Sequence, residues 1–164
     1  MNHLWMNDHG RFTDQALPNG AAYNEAGAPE AGMGIAIADY DDDGDIDILV
    51  SNNNGHARLF RNELPHRGNW IELRVMDQLL RRDAIGARVR LTLSDGRVLT
   101  RFVRTDGSYL SASDPRVHFA WPDGVQVRSL EVVTPGGMAW PLKGVAPRAI
   151  STVFVGAAGA EVRR

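Results

Sequence analysis

Six of the nine residues in Asp39-Tyr40-Asp41-Asp42-Asp43-Gly44-Asp45-Ile46-Asp47 are aspartates. Carboxylates this close repel one another strongly unless a cation sits among them. Their spacing is that of a calcium loop. Asp39, Asp41, Asp43 and Asp47 stand at its first, third, fifth and ninth positions, and Gly44 at the sixth permits the sharp reversal. The backbone carbonyl of Asp45 fills the seventh position, and Asp42 is left facing solvent. Hard oxygen donors without His or Cys favour calcium over zinc or copper, and a flexible ring of many oxygens suits it better than magnesium. The expected metal ligands are therefore Asp39, Asp41, Asp43, Asp45 and Asp47, with Ca2+ as the cofactor.

The surroundings decide which kind of calcium loop this is. An EF-hand needs a bidentate acid at the twelfth position, which is Val50, and a helix on each side. Instead Gly34-Ile35-Ala36-Ile37-Ala38 leads in and Ile46-Asp47-Ile48-Leu49-Val50 leads out. In the second run Ile46, Ile48 and Val50 alternate with Asp47 and Leu49, and its β-branched content reads as a strand. The loop joins two strands, and an EF-hand is excluded.

The elements that must position this loop follow from the rest of the chain. A length of 164 residues holds one ordinary domain or two small ones, and 43% hydrophobic with 23% charged residues is a globular composition. No apolar run approaches a membrane span, no signal peptide opens the sequence, and there are no cysteines to form disulfides. Charge is unevenly placed. Residues 1–57 carry ten acids against one base, whereas residues 58–164 carry ten acids and seventeen bases. This split predicts two units. The arginines of the second unit alternate with apolar residues, as in Arg88-Val89-Arg90, which is the pattern of a half-buried sheet's solvent face.

Turn signals at Asn54-Gly55, Asp95-Gly96, Asp106-Gly107, Asp123-Gly124 and Gly136-Gly137 separate strand candidates at 46–52, 57–62, 69–76, 86–93, 97–104, 127–134 and 149–155. Arg90 to Thr100 reads as a hairpin with a two-residue turn. The 77–83 stretch is the nearest to a helix and is too short to stand alone. The chain is predicted to be all-β. Two fragments repeat: Leu4-Trp5-Met6-Asn7 near the start matches Leu59-Phe60-Arg61-Asn62.

These fragments carry a resemblance. Residues 2–62 resemble FG-GAP/VCBS repeats, the calcium-loop blades of integrin-type β-propellers, through Asn2-x-Leu4-x-x-Asn7, Gly10-x-Phe12-x-Asp14, the strand ending in Asp39, the aspartate loop and Leu59-Phe60-Arg61-Asn62. Residues 69–155 resemble the ASPIC/UnbV domain through Asn69-Trp70-Ile71-Glu72-Leu73, Ala84-Ile85-Gly86-Ala87-Arg88-Val89, Gly107-Ser108-Tyr109-Leu110-Ser111 and His118-Phe119. Two turns depart from that pattern, Ala120-Trp121-Pro122-Asp123-Gly124 and Thr134-Pro135-Gly136-Gly137. The resemblance implies one to one-and-a-half propeller-type blades over residues 1–64, then a small antiparallel β-sandwich-like ASPIC/UnbV domain over 65–156 and a tail over 157–164. It also implies an extracytoplasmic or secreted protein. So few blades imply a fragment of a longer protein, or a chain that buries its blade faces by association.

Catalytic chemistry is not expected. The five histidines form no short zinc-ligand cluster, no Gly-x-Ser-x-Gly elbow accompanies Ser108, Ser111 or Ser113, and Gly32-Met33-Gly34 lacks the third glycine of a dinucleotide site. His118 reads as a packed or hydrogen-bonded side chain. The expected function is a noncatalytic calcium-binding module acting in adhesion or macromolecular binding. Its partners are a protein or glycan and further propeller blades of the same or another chain, with neither nucleic acid nor a membrane among them. The alternative is an arginine-rich β domain that binds an acidic polymer, a glycan or a nucleic acid.

Overall fold

The computed structural model describes residues 3–20, 23, 26–29, 32–53, 55–63, 65 and 68–163. Asn2 and Asn54, and with them Leu64, His66 and Arg67 at the expected boundary, lie outside the described residues. Every regular element among the described residues is a strand, and the protein is all-β.

The acidic part holds two small sheets. β1 (Trp5–Asp8) and β2 (Arg11–Asp14) form an antiparallel hairpin. β3 (Gly32–Ala38), β4 (Asp47–Asn52) and β5 (Arg58–Phe60) form an antiparallel sheet in that order. Across it Ile37, Ile48 and Phe60 stand in register on one face, and Ala36, Leu49 and Leu59 on the other. Both faces are apolar, and the five large residues are 42–54% exposed. Among the described residues no ring of sheets closes around them.

The basic part is a sandwich of nine strands: β6 (Asn69–Asp77), β7 (Arg82–Asp83), β8 (Arg88–Leu93), β9 (Val98–Phe102), β10 (Val117–Trp121), β11 (Val127–Val133), β12 (Ala139–Pro141), β13 (Ala149–Gly156) and β14 (Gly159–Arg163). One sheet runs β10-β6-β13-β14, with β7 on β6, and the other runs β12-β11-β8-β9. Alternation drives the packing. Ile71, Leu73 and Val75 of β6 and Val117, Phe119 and Trp121 of β10 face Val89, Leu91 and Leu93 of β8 and Leu130 and Val132 of β11. Each of these is at most 5% exposed, so one dry core holds the unit together. Arg88 and Arg90 point to solvent on either side of buried Val89, as the pattern predicts.

Three local expectations change. β13 runs parallel to β6, from Ala149↔Ile71 to Val155↔Asp77, so this sheet is mixed where an antiparallel one was expected. The expected tail forms β14, because a turn through Gly159 at φ 150 folds it back onto β13 and lets Ala160 and Val162 reach the core. The β8–β9 turn has three residues, not two. Gly96 N–H bonds the Leu93 carbonyl at 3.1 Å and Leu93 N–H bonds the Arg97 carbonyl, with Gly96 at φ 90 taking the left-handed bulge position.

The core and the small sheet respond differently to truncation. Phe119→Ala lowers unfolding free energy by about 3–5 kcal/mol, while Phe60→Ser shifts it by no more than roughly 0.5 kcal/mol. Urea unfolding of both variants measures the contrast.

Candidate metal centre

The face of β6 away from the core is where the two parts meet. Because Ile71, Leu73 and Val75 point inward, Trp70 and Glu72 point outward with His118, the register partner of Glu72 on β10. Glu72 is nevertheless only 1% exposed, because the aspartate loop lies against it. Trp70 and His118 stack at 6.2 Å between ring centres, and the His118 Nε2–H donates to the Gly44 carbonyl at 2.8 Å. Gly44 sits at φ 98 against the Trp70 indole, and a Cβ there would collide with that ring. The glycine is thus required twice, by backbone conformation and by close approach.

The loop holds its own carboxylates in place. Asp39 Oδ1 and Oδ2 accept the backbone N–H groups of Asp43 and Gly44 at 3.0 and 2.8 Å, and Asp43 Oδ1 accepts that of Asp45 at 3.0 Å. Asp47, at the start of β4, accepts from Tyr40 N–H at 2.9 Å and from Asn62 N–H at 2.7 Å. It therefore ties both ends of the loop to the end of β5. Asp41 pairs with Arg61. Of the five expected ligands, Asp39, Asp41 and Asp43 each bring an oxygen within 4.8 Å of the others. The Asp47 carboxylate is outside that group of side chains, and Asp45 was expected to contribute its backbone carbonyl and not its carboxylate. Hard oxygens converging from one loop are a donor set suited to Ca2+, so the residues present fit the expected ion.

A second group, Asp39, Asp42 and Glu72, joins the two parts of the chain. Here the protein supplies the cation. The Arg116 guanidinium lies 2.9 Å from Glu72 Oε2, donates to Asp42 Oδ1 at 2.9 Å and Asp114 Oδ2 at 2.6 Å, and reaches the Asp39 carbonyl at 3.1 Å. Asp42, expected to face solvent alone, is exposed but gripped by this arginine. The linker 105–116 also covers the free edge of β3. Ser108 Oγ accepts from Ile35 N–H at 3.0 Å, Ser111 Oγ–H donates to the Ile35 carbonyl at 2.8 Å, and Asp114 N–H donates to the Ile37 carbonyl at 3.2 Å. Two serine side chains and one backbone N–H here do the capping that a neighbouring strand would do.

The electrostatics follow from burial. Burial pushes the Glu72 carboxyl up to about 7 against the pull of Arg116, and the charges on Asp39, Asp114 and Asp42 push the same way. Burial also raises Asp39, opposed by the Gly44 and Asp43 N–H groups and reinforced by the Asp43 and Asp42 charges. Sequence reasoning found the aspartates but missed Trp70, Glu72, Asp114 and Arg116. Residue type gave no signal for them: Glu72 alternates with Ile71 and Leu73, as Arg74 does with Leu73 and Val75, in the pattern of a solvent-facing strand residue. His118, read as a hydrogen-bonded residue, is one.

A family model described as ASPIC and UnbV matches residues 79–160. The matched span includes Ser108, Asp114, Arg116 and His118, and it excludes Trp70, Glu72 and the aspartate loop. No curated protein matches the chain.

Arg116→Gln leaves buried Glu72 without its cation and lowers stability by about 3–5 kcal/mol above pH ~7, and Arg116→Lys recovers only part because a point charge cannot span these partners. The folded state holds the Glu72 proton more tightly than the unfolded state does. Its stabilising contribution is therefore complete below about pH 4.5 and is lost as pH rises through about 7. Thermal melts across that window show this decline in the parent and a flatter profile in Glu72→Gln.

Proposed function

The chain belongs to the ASPIC and UnbV family, and on that footing we propose that it is a noncatalytic calcium-binding β module. The observation that carries this reading is the convergence of Asp39, Asp41 and Asp43 within a loop whose backbone is already pinned. The ion lowers the repulsion among these carboxylates, and Asp45 and Asp47 support the loop around it. Bound there, it acts as a clasp on the β3–β4 connection. Through Asp39 and Arg116 it also stiffens the junction with the sandwich.

The apolar faces of the β3–β4–β5 sheet support a companion reading. A sheet with large aliphatic and aromatic residues exposed on both sides is built to lie between two others. We take it as an FG-GAP/VCBS-type blade whose neighbours are further blades of the same or another chain. The whole then serves adhesion or macromolecular binding at an extracytoplasmic surface.

A second reading rests on a cleft of about 780 Å³ between the two parts, lined by Arg101 and Arg104 beside Ile35, Ile37 and Phe102. Neither guanidinium has a carboxylate partner among the described residues. An acidic glycan is the ligand this chemistry suits.

Titration calorimetry tests the calcium reading. The parent takes up Ca2+ with a dissociation constant on the order of 10⁻⁴–10⁻³ M, and Asp39→Ala and Asp43→Ala do not. Equal uptake by the variants ends the assignment. For the second reading, a sulfated glycan column retains the parent at low salt, and Arg101→Gln/Arg104→Gln elutes early. Retention unaffected by salt or by the substitutions removes it.

A further inference from the structure

Turn tips ordinarily carry polar residues, because they face water on most sides. One end of the sandwich departs from this. The β6–β7 turn presents Leu79 and Leu80, which are 87% and 55% exposed. Ile85, just past β7, and Met138, in the β11–β12 turn, are also exposed. With Pro135 and with Ala157 of the β13–β14 turn, these residues line one groove of about 870 Å³. Three turns that are distant in sequence thus form a single apolar end.

The leucines are held outward by design of the turn. Asp77 Oδ1 accepts the N–H groups of Leu79 and Leu80 at 2.9 and 2.8 Å, and its carbonyl accepts Arg81 N–H at 2.9 Å. Arg81 takes φ 54, which closes the turn and sends the chain back into β7. Arg81 and Arg82 follow directly and are exposed. Neither guanidinium has a carboxylate partner among the described residues, whereas Arg74 nearby is paired with Asp83.

A concave apolar groove receives side chains from a partner. Here Leu79 stands well clear at the rim, two arginines follow Leu80 directly in the chain, and the two carboxylates of the groove are engaged, Asp77 by backbone N–H groups and Asp83 by Arg74. We propose that this end of the molecule docks on an anionic lipid surface, with Leu79 and Leu80 entering the acyl boundary and Arg81 and Arg82 at the level of the headgroup phosphates. An apolar tip backed by arginines matches that boundary in both hydrophobicity and charge. No helix among the described residues is long and apolar enough to cross a membrane, and peripheral docking through a turn needs none. The proposal does not rest on the calcium reading, so its test is run with a chelator present.

The experiment is sedimentation of the full chain with vesicles of phosphatidylcholine alone or mixed with phosphatidylglycerol. The parent partitions onto the mixed vesicles, and added salt weakens this. Leu79→Ser/Leu80→Ser binds at least about tenfold less, with an unchanged near-ultraviolet circular dichroism spectrum. Arg81→Gln/Arg82→Gln loses the preference for phosphatidylglycerol. Leu59→Ser, on the β3–β4–β5 sheet, partitions like the parent. Absent partition of the parent, unchanged binding by the leucine variant, or an equal loss in Leu59→Ser overturns the proposal. So does self-association that the leucine variant abolishes without any vesicle binding, which would assign the surface to a second copy of the chain.

Discussion

The guanidinium of Arg116 is the cation around which the two parts of this chain are organised. Six aspartates in nine residues carry a repulsion that must be offset locally. One part of the answer lies inside the loop, where backbone N–H groups of Tyr40, Asp43, Gly44 and Asp45 point at carboxylates. The other part comes from across the junction. Arg116 meets Asp42, Glu72, Asp114 and the Asp39 carbonyl with one planar group, a geometry that suits a guanidinium and not an ammonium. Removing it would leave the buried Glu72 carboxyl without a cation beside it. The ion pair is therefore a stronger constraint on arrangement than a measure of net stability.

Asp39 belongs to both carboxylate groups. In one group Arg116 supplies a positive charge, and in the other Asp39 lies with Asp41 and Asp43, their carboxylate oxygens within 4.8 Å of one another. This sharing gives a physical route from the loop to the sandwich. Anything that fixes Asp39 also fixes the backbone carbonyl that Arg116 holds, and with it the outer face of β6 where Trp70 and His118 pack on Gly44. The two parts otherwise differ sharply. The sandwich closes a dry core on itself, whereas the β3–β4–β5 sheet leaves large apolar residues uncovered on both faces.

Much of the fold was legible because alternation is a local signal. The seven strand candidates correspond to β4, β5, β6, β8, β9, β11 and β13, and the strand expected before the loop is β3. The misses were of another kind. β1, β2 and β10 were not among the candidates, and β7 and β12 are two and three residues long, too short to show a period. β14 was read as a tail because its Gly-Ala-Glu-Val-Arg segment is a strand only when β13 is there to pair with it. The parallel pairing of β13 with β6 joins residues nearly a whole domain apart, and no local pattern states which way such a pair runs.

What the sequence by itself determined was the acidic loop: its reversal at Gly44, its place between two strands and its oxygen-only donor set all follow from residue type and spacing. The alternation that makes the second half a sandwich was equally local. What only the tertiary structure decided was how these carboxylates are used. It brought Asp39, Asp41 and Asp43 together, turned Asp47 to backbone donors, and set Asp42 against an arginine 74 residues later in the chain. The reason is that a charge's behaviour depends on its solvation and its neighbours. Glu72 looks like any strand glutamate until the loop covers it, and only then does its carboxyl rise to about 7.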